Sequence, residues 1–203
     1  VAHAQSEAQC ISFSPPGGVY TNESDVRLSC SEPGTVIRYT LNNTVPTADS
    51  QAYEGPIRAA GCLTLRARAF SPGASPGPIH TESYLLLDAD TSRFSSPLPI
   101  LILNADGHRV PAPGSPRAPA TVTVISPADP AARAGLLDKP DYHGRAGLGR
   151  RGHYSAEWPK PAYNLELLGE GEKDRSAALA GMPAGADWVL LSFAHDPSQM
   201  CDI

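Results

Sequence analysis

The stretch FSPPGGVYTNESDVRLSCSEPGTVIRYTLNNTVPTADSQAYEGPIRAAGCLTLRARAF, residues 13–70, decides the fold of the first part of the chain. Val26, Leu28 and Cys30 alternate with the polar Arg27 and Ser29, the two-residue period of a strand with one face buried. Pro33-Gly34 supplies turn chemistry, and beyond it Ile37, Tyr39 and Leu41 share one face while Val36, Arg38 and Thr40 share the other. Leu63, Leu65, Ala67 and Ala69 alternate in the same way with Thr64, Arg66, Arg68 and Phe70. Upstream, a short strand over residues 11–14 runs into the turn cluster Pro15-Pro16-Gly17-Gly18. Turns at intervals of about eight to twelve residues predict a small antiparallel sandwich. Because Tyr39 shares its face with Ile37 and Leu41, it is expected in the core rather than in an aromatic sugar platform with Tyr20 and Tyr53.

The motifs within this stretch occur in a recognisable order: Pro33-Gly34, Ile37, Tyr39-Thr40, Pro46-Thr47, Tyr53, Gly55-Pro56-Ile57 and Arg66-Ala67-Arg68-Ala69. In that order the segment resembles the chitobiase/beta-hexosaminidase C-terminal type of domain, the GH29D-like β-sandwich. The resemblance implies an immunoglobulin-like antiparallel sandwich with an accessory role over residues 10–87. Asn42-Asn43 stands where that family commonly has Asp-Gly, and asparagine tolerates the left-handed conformation such a turn needs.

The bulk composition suits such a fold. In a chain of 203 residues, 41% apolar residues can build a core, and 21 prolines with 18 glycines favour strands and turns over long helices. A net charge of -5 with both signs interspersed offers no basic face for nucleic acid. The longest apolar run, near residues 188–194, is strand-sized, so no transmembrane segment is expected. The chain opens on Val1 with Ala2-His3-Ala4, similar to the small-x-small end of a secretory signal, and stops at Asp202-Ile203 just after a strand-like segment. A fragment of a secreted or cell-surface protein is expected.

Four cysteines, Cys10, Cys30, Cys62 and Cys201, lack the spacing of a zinc site. In a secreted strand-rich domain they suggest one disulfide, Cys30 with Cys62, against the alternative of buried free thiols. Asn22-Glu23-Ser24 and Asn42-Asn43-Thr44 are glycosylation acceptors if the source is a eukaryotic secretory protein. The six histidines show no metal spacing, and no G-x-S-x-G elbow is present, so neither catalytic residues nor metal ligands are assigned.

Residues 88–96 read as a linker to a second domain over residues 97–203. Strands are expected over residues 98–103, 120–125 and 163–168, with loop or a short helical turn over 130–139. Within this domain, GLGRRGHYSAEWPK at residues 147–160 satisfies G-x-G-x-x-G. A dinucleotide site needs a helix directly after the glycines, and Pro159 forbids a helix through its position. A kinase-type glycine loop, which joins two strands ahead of a lysine, remains compatible, with Lys160 at the entrance to the strand over 163–168.

The same residues carry a second pattern: Arg151-Gly152, Ser155, Trp158-Pro159-Lys160, Tyr163, Leu165-Glu166-Leu167, Leu179, Gly181-Met182-Pro183-Ala184, Asp187-Trp188-Val189-Leu190, Asp196 and Ser198. This array resembles the N-terminal half of the CotH family, the spore-coat protein H type of atypical protein kinase. The resemblance implies a truncated α+β kinase-like lobe in which Arg151 and Lys160 contact nucleotide phosphates and Glu166 is a carboxylate partner. It also implies ATP and magnesium as cofactors of the complete parent, none of them held by this chain alone. A surface protein is the implied substrate; an adhesion or carbohydrate-binding module is the competing class. Departures at His153, Pro161, Pro197 and Cys201 remove amide or cationic groups that phosphate oxygens would use. The family's catalytic aspartates lie farther along, so the chain alone is expected to be inactive, and Leu165, Leu167, Val189 and Leu191 are expected to form an exposed apolar patch.

Overall fold

The computed structural model describes residues 11–129, 131–152, 162–170, 175, 177 and 188–191, the last four by their backbone. Two compact units are present: residues 1–18 with 22–85, and residues 19–21 with 86–203.

Eight strands lie within residues 12–86: β1 (Ser12–Ser14), β2 (Gly18–Tyr20), β3 (Ser24–Ser29), β4 (Val36–Thr40), β5 (Gln51–Ala52), β6 (Ile57–Ala59), β7 (Leu63–Phe70) and β8 (Ile79–Leu86). They form a three-stranded sheet, β1-β3-β6, and a five-stranded sheet, β2-β8-β7-β4-β5. The alternating residues become the sandwich core: Val26 and Leu28, Ile57 and Ala59 from one sheet, and Ile37, Tyr39, Leu65, Ala67 and Ala69 from the other. Leu41 departs from this pattern. It lies past the end of β4 at Thr40 and is exposed.

The alternation of β7 suggests one wet face, yet Thr64 and Arg66 are fully buried. Residues 41–46 account for this: Asn42 bridges to Thr64, Asn43 and Pro46 are buried, and Arg66 Nη1 donates to the Asn43 carbonyl at 3.0 Å. Asn43 takes φ 60, the left-handed conformation expected of this turn. Gly17 meets a closer constraint, because its N–H donates to Glu82 Oε2 at 2.8 Å and any Cβ there would lie 2.9 Å from the Ser83 backbone nitrogen.

The expected Cys30–Cys62 bridge is corrected by the structure. Cys30 is a free thiol and Cys62 is disulfide-bonded to a partner outside the described residues. The two residues flank strands of different sheets, β3 and β7, and no strand pairing brings them together.

In the second unit a 3-10 turn at Thr91–Arg93 and β9 (Ser95–Ser96) occupy the segment expected as linker. Then follow β10 (Ile100–Asn104), β11 (Ala118–Ile125), β12 (Ala134–Gly135), β13 (Tyr142–Arg151), β14 (Ala162–Leu168) and β15 (Trp188–Leu191). β10-β11-β13-β14-β15 is an antiparallel meander, and β12 pairs with β9. One face carries the core: Ala120, Val122, Val124, Ala146, Leu148, Leu165 and Leu167.

Two further expectations are corrected in this unit. Among the described residues it is built of strands, with the 3-10 turn as its helical element, so the chain is mainly β and the α+β lobe is not seen. The apolar residues described here follow a two-residue period, which a sheet can bury and a helix cannot. Leu165 and Leu167 are not an exposed patch, because they pack on Ala146 and Leu148 of the neighbouring strand. The side chains of Val189 and Leu191 lie outside the described residues.

Candidate functional site

The G-x-G-x-x-G stretch is not a loop. Gly144, Gly147 and Gly149 sit inside the continuous strand β13, and only Gly152, at φ 94, lies past its end. Gly147 and Gly149 share a face, and Arg117 lies across it: a Cβ on Gly147 would meet Arg117 Cβ and Cδ, both at 3.2 Å. A Cβ on Gly149 would meet Arg117 Cγ at an ordinary 3.6 Å. The glycines therefore make room for an arginine stem, one of the close approaches that glycine within a strand permits.

Glu166 on β14 stands opposite Gly147 and forms an ion pair with Arg117, their side chains 34% and 41% exposed respectively. Of the residues expected at a nucleotide, Arg151 is exposed at the end of β13 opposite Ala162, Glu166 is engaged by Arg117, and Lys160 lies outside the described residues. The structure does not bring Arg151 and Glu166 into contact with each other through any bond it records.

The same face carries polar residues that sequence reasoning missed. Asn104, Thr121 and Arg145 stand in one row across β10, β11 and β13, and Thr123 faces His143 in the next. Asn104, Thr121, Thr123 and Arg145 are buried. Arg145 Nη1 donates to the Gly169 carbonyl at 3.0 Å, and Thr123 Oγ1 shares a 2.7 Å hydrogen bond with His143 Nδ1. Burial holds the His143 pKa below the ordinary histidine value. The alternation in Thr121-Val122-Thr123-Val124 signals a polar face, but not that it is buried.

On the opposite face Tyr142 packs beneath the Arg175 guanidinium, 5.7 Å from the ring centroid. Burial raises the Tyr142 pKa, and the Arg175 charge partly opposes that shift.

In the first unit a groove of ≈ 470 Å³ opens along β5, an edge strand, lined by Tyr39, Gln51, Ala52, Glu54, Gly55 and Pro56. The Tyr39 phenol has a raised pKa, chiefly from burial and then from the charges of Glu54 and Tyr53. Tyr39 is only 8% exposed, in agreement with its expected place in the core, and Tyr20 and Tyr53 are half-buried. A saccharide in this groove would meet hydrogen-bonding groups from Gln51 and Glu54 rather than an open aromatic face.

Among the described residues, no three His, Cys, Asp or Glu side chains gather as a metal site. Among the described residues, no helix is long and apolar enough to cross a membrane.

The two sheets and their shared core define the first unit as a β-sandwich. Its residues 15–81 match the family model of the chitobiase/beta-hexosaminidase C-terminal domain, a type associated with carbohydrate-active enzymes. No curated protein and no solved structure matches the chain.

Proposed function

We propose that the chain is part of a modular secreted or cell-surface protein in which a GH29D-like accessory sandwich precedes a CotH-like atypical kinase unit. The whole protein then transfers a phosphoryl group from ATP to a surface protein. The observation that carries the kinase reading is the β13–β14 pairing. Its register sets Arg151 opposite Ala162 at the shared end of two antiparallel neighbours, and Lys160 precedes Ala162 by two residues in the sequence. Arg151 and Lys160 are the phosphate contacts in this reading. Glu166 acts through Arg117, holding that arginine along the strand. No step of the transfer is assigned to the described residues, whose part is binding and positioning.

The test is equilibrium binding of a fluorescent ATP analogue, with magnesium, to the complete parent protein. Arg151→Ala and Lys160→Ala are each expected to weaken binding about tenfold, the loss of one charge-assisted contact. Absence of ATP binding, or binding indifferent to both substitutions, refutes the kinase reading.

A carbohydrate-binding or adhesion role is the second reading, and the groove at Gln51 and Glu54 favours it. Saccharide binding that Glu54→Gln and Gln51→Ala abolish, in a complete parent protein that does not bind ATP, would establish it in place of the kinase reading.

A further inference from the structure

We propose that Asn42 is the acceptor of an N-linked glycan, added as the chain passes through a eukaryotic secretory pathway. The inference rests on the secreted reading above and on a eukaryotic source. Asn42-Asn43-Thr44 has the N-x-T pattern, and Asn42 and Thr44 are both exposed. The Asn42 carboxamide oxygen accepts hydrogen bonds from Thr44 Oγ1 at 2.6 Å and from Thr44 N at 3.3 Å. Thr40 Oγ1 donates to the Thr44 carbonyl at 2.7 Å and closes the turn. With its oxygen engaged by a hydroxyl proton, the carboxamide is polarised, and its Nδ2 is the atom left for reaction.

The timing also fits. These hydrogen bonds span two to four residues, so the turn can form in an unfolded chain as it emerges. Folding then buries Asn43, whose carbonyl accepts from Arg66, while Asn42 stays outside. A glycan on Asn42 is compatible with the packed sheet, whereas one on the adjacent Asn43 would not be.

The step is a substitution at an anomeric carbon. Nδ2 of Asn42 attacks C1 of a polyprenyl-diphosphate-linked oligosaccharide, and the C1–N bond forms as the C1–O bond to phosphate breaks. Polyprenyl diphosphate leaves with the electron pair, and the amide proton passes to a carboxylate of the transferase.

The experiment expresses the full chain behind a cleavable leader in a eukaryotic secretory host, so the route is imposed whatever the native location. Enzymatic deglycosylation in heavy-oxygen water followed by peptide mass spectrometry should convert Asn42 to labelled aspartate. Asn42→Gln and Thr44→Val should each lose one glycan's mobility shift, while Thr44→Ser should retain it. A secreted chain that melts cooperatively with Asn42 unmodified, or with a glycan on Asn22 alone, overturns the proposal. Native protein recovered from the cytoplasm would instead overturn the secreted reading, and with it modification in the source.

Discussion

Gly147→Ala tests whether the glycines of β13 exist for Arg117. The new methyl would sit 3.2 Å from both Arg117 Cβ and Cδ. Cδ can rotate away, but Cβ is tied to its own backbone, so Arg117 or β13 must shift by a few tenths of an ångström. Overpacking of this kind costs about 1–3 kcal/mol. Replacing glycine by alanine within a strand returns about 0.5–1 kcal/mol of backbone entropy. The net expectation is a loss of about 1 kcal/mol, or about 3 °C in the melting temperature of a unit this size.

Gly149→Ala supplies the control, since its methyl would meet Arg117 Cγ at an ordinary 3.6 Å. Only the entropic gain should remain there, about 0.5 kcal/mol of added stability. Thermal melts of the two variants should therefore move in opposite directions. In an Arg117→Ala background the Cδ contact disappears, and the cost of Gly147→Ala should fall, a coupling readable by a double-mutant cycle. If Gly147→Ala is as stable as Gly149→Ala, or if Arg117→Ala leaves its cost unchanged, the account of the glycine face is wrong.

Three other outcomes are expected. His143 binds fewer protons folded than unfolded, because burial lowers its pKa; stability should therefore fall as pH drops below about 6.5, and melts of His143→Gln should show a flatter pH dependence there. A thiol-alkylating reagent without reductant should label Cys30 and spare Cys62, which should label only after reduction; the reverse pattern would contradict the assignment. Gly17→Ala would press a methyl against the Ser83 backbone and the Glu82 carboxylate, so denaturant melts should show a loss of about 3 kcal/mol or more, and a loss under 1 would refute the close packing of that turn.

β3, β4 and β7 were legible because each has one face buried, and a two-residue period records that directly. What the alternation could not record is the second layer over β7. Arg66 looks solvent-facing beside Leu65 and Ala67, yet it is fully buried by a loop 23 residues earlier in the chain. Such burial depends on a non-local fold-back, and no local pattern encodes it.

The second unit shows the same limit at its candidate site. Three glycines in the G-x-G-x-x-G spacing suggested a phosphate loop. Two glycines at positions 147 and 149 within a strand instead mark a face where something must approach closely. The pattern announces the approach but not its author, because Arg117 lies 30 residues upstream of Gly147 and Glu166 lies 19 residues downstream of it. Glu166, expected as a carboxylate partner at a nucleotide, is paired with Arg117 on the strip of sheet beside the glycines. The two uses of that strip compete at Gly147, where the arginine stem lies within 3.2 Å of the place a Cβ would take. The strip along Gly147 and Gly149 is therefore taken by the Arg117–Glu166 pair and is not a phosphate cradle.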